Sequence, residues 1–437
     1  MRKPRINVVT LGCSKNLVDS EVLLGQLVAN KADVVEDVDR ADIAVINTCG
    51  FIESAKRESL DAILEAVQRK SRGQLKEVLV MGCLSERYKS DLEREIPEVD
   101  AYFGSHHLPQ VLERIGLTFK SELLGERKLT TPSHFAYLKI SEGCDRPCSF
   151  CAIPLMRGAH RSKDIRDVLE EASTLAASGV KELILIAQDS TSYGLDRTGR
   201  RQLGELLAGL AVTPGIEWIR LMYAYPAGFP RDVLSIIRDH PTICRYLDMP
   251  LQHIADPVLQ SMRRGSTSRS TRELLETIRS EVPNIALRTT LMVGYPAETE
   301  QAFEELLAFV RDMKFHRLGV FHYSPEEGTA SHSLGDPIPQ EVKEERANAL
   351  MELQQGISEE RNQELIGSTV RVLFDRADNG HFVGRTEWDA PEIDQEVYVP
   401  NGPGLSVGNY FDVRIVDGTE YDLTGEIVEP LRTRGEL

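Results

Sequence analysis

AYLKISEGCDRPCSFC, Ala136 to Cys151, runs from a short apolar strand pattern straight into three cysteines spaced Cx3Cx2C. Cys144, Cys148 and Cys151 crowd onto one loop, interleaved with Asp145, Arg146, Pro147 and Ser149, a polar mixture that core packing does not use. Thiolates this close on one peptide suit an iron-sulfur cluster, and three of them leave one iron of a cube open to a small molecule. A structural zinc ion competes with that reading. It needs a fourth closed ligand, for which His134 and His160 are the nearby candidates.

Downstream of this loop the chain repeats its opening pattern. KELILIA, WIRLMYA, CRYLDMP, NIALRTTLMVG and RLGVFHYS read as strands, separated by amphipathic helical stretches such as 299–313. With AYLKIS they make six β/α units, which predicts an incomplete (β/α) barrel over 130–365. Its reactive groups are expected on loops at the C-terminal ends of the strands. Residues 341–366 read as one long charged helix leading out.

Upstream, over 1–120, INVVTLGC, IAVINTC and VLVMGC each read as a buried strand ending in a cysteine: Cys13, Cys49 and Cys83. The intervening helical patterns predict a Rossmann-like parallel α/β unit, whose strand ends gather along one ligand-binding edge. Three thiols distant in sequence would then meet there. Three unrelated core cysteines are the alternative. Gly12, Gly50 and Gly82 stand beside them, as a backbone passing close to a bulky ligand requires.

The last segment, 366–437, alternates strand patterns with DNG, NGPG and DG turns, which predicts a small antiparallel β-barrel of the OB type. It holds 6 Arg, no Lys and 14 Asp or Glu, so a large part of the chain's net charge of −17 sits here. Surface acid serves solubility, and it also offers a docking face to a basic protein. Phosphate-driven nucleic-acid binding is disfavoured by this charge.

The 437 residues, 41% hydrophobic and 27% charged, belong to a globular protein of two or three domains. No apolar run approaches a membrane span and no signal-type segment follows the N-terminus, so a cytoplasmic protein without a membrane partner is expected. In that reducing compartment clustered cysteines read as metal ligands, and the odd one of the seven, Cys244, as a core thiol.

The Cx3Cx2C loop, with Phe150 before its last cysteine, resembles that of the radical S-adenosylmethionine superfamily. LGCSKNLVDSE, INTCGFIESAKRESLD, MGCLSERY, IPLMRGAHRSK, AQDST, MPLQHIADPVLQSMRRGST, TTLMVGYPAET and YSPEEGTAS, in this order, resemble the methylthiotransferases within it. The resemblance spans the whole chain and is strongest to the branch that modifies a ribosomal protein. The transfer-RNA branch usually carries QMN where Ser14, Lys15 and Asn16 stand.

It implies two 4Fe-4S clusters, one on Cys144, Cys148 and Cys151 and an auxiliary one on Cys13, Cys49 and Cys83, with a TRAM-type C-terminal barrel. The first would reduce S-adenosylmethionine to a carbon radical able to take hydrogen from an aspartate β-carbon, which no side-chain base could deprotonate usefully. The second would present the sulfur that is methylated and transferred. The implied substrate is the basic decoding-centre protein of the small ribosomal subunit. An external sulfur source and a reductant such as a flavodoxin or ferredoxin are implied as well. The rival readings are methylthiolation of an adenosine in transfer RNA and a non-catalytic two-cluster carrier or scaffold.

The resemblance places Phe150 near the adenine of the cofactor. Gln188 and Asp189 end a barrel strand, where contact with the cofactor competes with a plain loop cap. Gly294 fits a tight turn near the cofactor. Gln252 and His253 either face substrate or serve structure, and Arg157 and Arg161 either offset the charge of the cluster on the loop or lie on the surface.

Overall fold

Ile43–Thr48, IAVINT, is buried at every position, as a central strand covered on both faces must be. It is β3 of a parallel sheet ordered β2-β1-β3-β4-β5. The other strands are β1 Arg5–Thr10, β2 Asp33–Val34, β4 Glu77–Gly82 and β5 Ala101–Tyr102. Alternation along the strands sorts the faces. Ala44, Ile46, Val78 and Val80 pack against α2 (Glu53–Ser71) and α3 (Cys83–Glu95). Ile43, Val45, Leu79 and Met81 pack against α1 (Ser14–Ala29) and α4 (Leu108–Arg114). Thr10 lies opposite Asn47 and Thr48 opposite Gly82, so β1, β3 and β4 finish flush at one edge.

The computed structural model describes residues 4–121, 123 and 126–428; the ends of the expected first and last segments, 1–3 and 429–437, lie outside the described residues. A second parallel sheet contains β6 Phe135–Lys139, with the two-stranded ribbon β7 Ser141–Glu142 and β8 Arg161–Ser162 beside it. It continues through β9 Glu182–Ile186, β10 Trp218–Leu221, β11 Ile243–Asp248, β12 Ala286–Val293 and β13 Arg317–His322. The six strands follow chain order from β6 to β13, and among the described residues those two edges do not pair, so the barrel is incomplete.

The crossovers carry α5 Ile153–Arg157, α6 Ile165–Ala177, α7 Leu195–Thr198, α8 Leu203–Ala211, α9 Asp232–Asp239, α10 Asp256–Ser261, α11 Ser268–Glu281 and α12 Glu300–Met313. Leu138, Leu183, Leu185, Ile219, Leu247 and Leu287 join the helices in the largest core. α12 starts where its cap predicts, with the Thr299 hydroxyl accepting from the Ala302 amide.

The inner face of this sheet is not empty. Tyr137, Ile184, Ile186, Trp218, Tyr246 and Cys244 point into it, and Leu17, Val18 and Val22 of α1 close part of the opening. The rest is closed by the C-terminal unit, which α13 (Gln340–Leu365) delivers. There β14 Thr369–Asp378, β15 His381–Arg385, β16 Val397–Pro400, β17 Tyr410–Gly418 and β18 Leu423–Ile427 form a closed barrel. Its pairings are antiparallel except β16 with β18, which run parallel; strand alternation along a sequence does not specify that closure.

Part of the acid in this unit turns inward. Arg385, fully buried, pairs with Asp375 and with Glu182 of β9, which also holds Arg220 at 2.9 Å. Arg288 lies 3.3 Å from Asp394, and Arg317 bonds Asp389. The barrel's acids thereby answer arginines on the inner face of the sheet, since a buried charge must be paired. The expectation that they serve only solubility or docking is corrected on that point. Among the described residues, no helix is long and apolar enough to cross a membrane.

Candidate cluster sites at two strand edges

Cys13, Cys49 and Cys83 follow β1, β3 and β4, three neighbouring strands with a common edge. Cys13 is exposed where it precedes α1, while Cys49 and Cys83 are buried. Asn16 ties the strand ends together, its amide donating to the Leu11 and Thr48 carbonyls at 2.8 and 3.0 Å. Asn47 answers by donating to the Asn16 carbonyl at 2.9 Å. Ser59 of α2 accepts from the Cys49 amide at 3.0 Å. The glycines serve this packing. A Cβ on Gly12, at φ +87°, would stand 2.6 Å from the Cys49 Cβ, and one on Gly82, at φ +105°, 2.6 Å from the Thr48 carbonyl oxygen. Their room is taken by the protein itself, which corrects the expectation of space for a ligand.

The loop trio is held differently. The β7–β8 ribbon pinches the loop at its base, with the Cys144 amide donating to the Gly158 carbonyl at 3.1 Å. Ser149 fastens the middle: its amide donates to Met262 O at 3.0 Å and its hydroxyl to Ser261 O at 2.8 Å. The Arg146 amide points at Cys144 Sγ from 3.4 Å, and Arg264 Nη1 at Cys148 Sγ from 3.3 Å. The Tyr225 ring lies between two guanidiniums, 4.0 Å from Arg146 and 4.2 Å from Arg264, with its hydroxyl 3.6 Å from Cys148 Sγ.

Helix α5, which begins two residues after Cys151, joins the loop of one trio to the other trio: Ala152 and Met156 pack on Cys83. Arg157 ends that helix, is 2% exposed, and donates Nε to Cys83 Sγ at 3.1 Å. Its other nitrogens reach Asn16 Oδ1 and, at 2.6 Å, Asp19 Oδ2. The sequence placed this cation behind its own cysteine loop; the fold turns it onto the other trio.

Burial pushes the Cys83 thiol up to about 12 against the pull of Arg157, and Cys13 and Cys49 add to the rise. Burial likewise raises Cys49, lifts Cys144 to about 11 and takes Cys151 to about 12. Thiols so desolvated ionise when a cation of the site compensates them, as iron does. The donor set fits cubanes better than single ions. Cys13 and Cys49 lie close enough to Cys83, and Cys148 and Cys144 to Cys151, to raise its pKa, three thiols to a site, and a cubane spreads three thiolates over separate irons. Of the histidines that zinc would recruit, His134 bonds Asp375 at 2.8 Å, and His160 bonds Ser162 at 3.1 Å through Nε2 while its Nδ1 is buried without a partner.

Comparison with known proteins agrees along the chain. The profile of the radical SAM superfamily matches residues 138–310, that of the TRAM domain 366–428, and that of the uncharacterized protein family UPF0004 residues 5–104. The ribosomal protein uS12 methylthiotransferase RimO of Christiangramia forsetii is 56% identical over 427 residues, covering 98% of this chain and 95% of that protein. The RimO of Flavobacterium johnsoniae is 55% identical over 430 residues and covers 98% of each. The chain belongs to the RimO family. Among solved structures, the radical S-adenosylmethionine methyltransferase TsrM of Kitasatospora setae superposes with a TM-score of 0.55 over 73% of each chain. At 13% identity that likeness concerns the fold alone.

Around the loop trio of this RimO-family chain, Phe150 is half-buried against Met262, Tyr295 and Tyr323. Asp189 caps its own turn, accepting from the Thr191 amide at 2.9 Å and Ser192 Oγ at 2.7 Å, and it holds Arg146 Nε at 2.6 Å. Gln188 donates to Glu142 at 2.7 Å while its Oε1 is buried without a partner, and Arg264 Nε is likewise unpartnered. Such orphaned atoms beside the thiols leave hydrogen-bonding capacity for a cofactor.

Gly294 turns with φ +77° at the end of β12, where a Cβ would run into the Lys343 side chain. Gln252, at φ +72°, is stitched to β12 through Thr290 and Met292. His253 is fully buried, with Nε2 3.3 Å from Glu298 and Nδ1 accepting from Ala255, so it serves structure. Arg161 is exposed, and Cys244 lies in the inner-face core. Sequence alone assigns no role at the site to Asn16, Lys15, Tyr225 or Arg264: Lys15 and Asn16 stand out only in the contrast with the transfer-RNA branch, Arg264 only as part of a motif block, and Tyr225 lies outside the blocks.

Proposed function

We propose that this chain is a radical S-adenosylmethionine methylthiotransferase that modifies ribosomal protein uS12 at the β-carbon of an aspartate. The observation that carries it is the juxtaposition of two cysteine trios across α5, each with three thiols where a closed site has four. A 4Fe-4S cluster on Cys144, Cys148 and Cys151 would supply the reductive release of a carbon radical, and one on Cys13, Cys49 and Cys83 the sulfur to be transferred.

The chain's own residues do the rest. Ser149, Asp189 and the β7–β8 ribbon fix the loop, Arg146 and Arg264 place positive charge beside its thiols, and Gln188 Oε1 and Arg264 Nε stay free for the cofactor. Phe150, Gln188 and Gly294 line the side on which the cofactor would lie. Arg157 offsets the charge of the auxiliary trio and ties it to α5. In this reading 1–120 holds the auxiliary cluster, 130–365 the radical chemistry and 366–437 the barrel that docks the substrate. The exposed acids there suit a basic ribosomal protein. An external sulfur source and a flavodoxin-like or ferredoxin-like reductant complete the reaction in the cytoplasm.

The test is anaerobic incubation of the reconstituted protein with S-adenosylmethionine, a reductant, sulfide and uS12. The expected result is a mass gain equal to a methylthio group replacing one hydrogen, localised to one aspartate. A preparation holding both clusters that forms 5′-deoxyadenosine yet leaves uS12 unchanged would refute the assignment.

A further inference from the structure

Lys15 is buried to 7% exposure in the first turn of α1, two residues beyond Cys13. Among the described residues it has no hydrogen-bonding or ion-pairing partner; its Nζ stands over the Tyr223 ring, 3.0 Å from the centroid. Other buried cations are provided for. Arg220 holds Glu182, Lys343 holds Asp336 at 2.6 Å, and Arg157 holds Asp19. The acid one turn along the same helix, Asp19, is already taken by Lys139 and Arg157. Its stem is buried while its Nζ, outside the set of buried unpartnered atoms, stays open to a ligand, and an ammonium with no carboxylate bonded to it is suited to receive an anion.

The ring beneath it is held in a costly conformation. Tyr223 follows β10 with φ +60°, a left-handed backbone for a bulky residue. Its amide donates to Asp248 Oδ2 at 3.1 Å, and its carbonyl accepts from the Ser190 amide and hydroxyl at 3.1 and 3.0 Å. Over-determined strain of this kind gathers at ligand sites. Two residues on, the Tyr225 hydroxyl lies 3.6 Å from Cys148 Sγ. The Lys15–Tyr223 pair is thereby linked by chain to both trios, through Cys13 two residues before Lys15 and through Tyr225 two residues after Tyr223.

We infer that Lys15 receives the side-chain carboxylate of the substrate aspartate and so discriminates aspartate from asparagine, an inference that rests on the function proposed above. An ammonium over an aromatic face donates strong charge-assisted hydrogen bonds to a carboxylate and weaker ones to an amide. Gripping the carboxylate would fix the adjoining β-carbon, the atom that the proposed reaction modifies. S-adenosylmethionine brings a carboxylate of its own, and the test separates the two sources.

The experiment uses reconstituted holoenzyme and measures anaerobic binding of uS12 carrying its native target aspartate or asparagine there, together with the affinity for S-adenosylmethionine. Wild-type protein is expected to prefer aspartate by roughly 10- to 100-fold. Lys15→Met should bind both forms alike, with cluster absorption and cofactor affinity at wild-type values, and Lys15→Arg should recover part of the preference. A Lys15→Met protein that keeps the preference overturns the inference. So does one whose only defect is weaker cofactor binding, which would assign the ammonium to the cofactor's carboxylate. Holoenzyme that leaves wild-type uS12 unmodified would instead overturn the function itself, a failure visible before any Lys15 variant is made.

Discussion

One cysteine trio is written on a single loop of eight residues and the other is collected from three strand ends. Cys144, Cys148 and Cys151 depend on a local peptide pinched by the β7–β8 ribbon, so their proximity is a property of the sequence itself. Cys13, Cys49 and Cys83 meet because β1, β3 and β4 are neighbours with flush ends, so their proximity is a property of the fold. The local site should survive damage to its surroundings better than the assembled one. Where they touch, at α5, a cation from the local loop has become part of the assembled site.

The largest expected effect separates the trios outright. Replacing Cys13, Cys49 and Cys83 by alanine should abolish methylthio transfer while 5′-deoxyadenosine still forms. Replacing Cys144, Cys148 and Cys151 should abolish both. Each triple variant should retain about four irons per chain where the intact protein holds about eight. Loss of deoxyadenosine formation from the first variant at full loop-cluster content would break the division of labour.

What the sequence disclosed follows the same contrast. The loop spacing is legible in nine residues, and the strand-end cysteines are legible because apolar runs with glycine beside the thiol mark parallel strands. The target of Arg157 was not legible, because only the packing of Ala152 and Met156 on Cys83 turns α5 toward the first sheet. Lys15 was hidden for a similar reason: position two of a helix says nothing about which strand end will face it. The inward acids of the C-terminal barrel left a faint signal. Arg288 and Arg317 sit in strands β12 and β13, and a half-buried arginine there announces a missing acid without saying which one.

Arg157 is the residue with which to test whether the trios are coupled. Arg157→Met leaves Asp19 with Lys139 alone and removes the charge beside Cys83. Deleting one partner of a buried ion pair costs about 3 kcal/mol, to be read from denaturant midpoints of the two proteins. In the background lacking the loop cysteines, Arg157→Met should also shift the reduction potential and electron paramagnetic resonance of the auxiliary cluster, with Arg157→Lys closer to wild type. Arg264→Met, whose guanidinium meets Cys148 and no carboxylate, should alter only the loop cluster and cost less. An unshifted auxiliary spectrum in Arg157→Met would show the contact to be structural alone.

The smallest effect concerns the iron-free chain in alkali. Burial raises Cys83 and Cys151 from 9.0 to about 12 and Cys144 to about 11, so these thiols stay protonated in the fold where the unfolded chain has lost its protons. The folded state then binds more protons than the unfolded one above pH 9, and stability falls as pH rises from there toward 11 or 12. Each thiol contributes at most about 1.4 kcal/mol per pH unit, and partial solvent access lowers this for the loop residues. Replacing Cys83 by serine should flatten the decline measured by chemical denaturation up to about pH 12, and replacing Cys144 only up to about pH 11, because Cys83 is the more deeply buried and carries the larger shift. Equal slopes in all three proteins would mean that the assembled site is as open to water as the loop, and the contrast between them would then lie in connectivity alone.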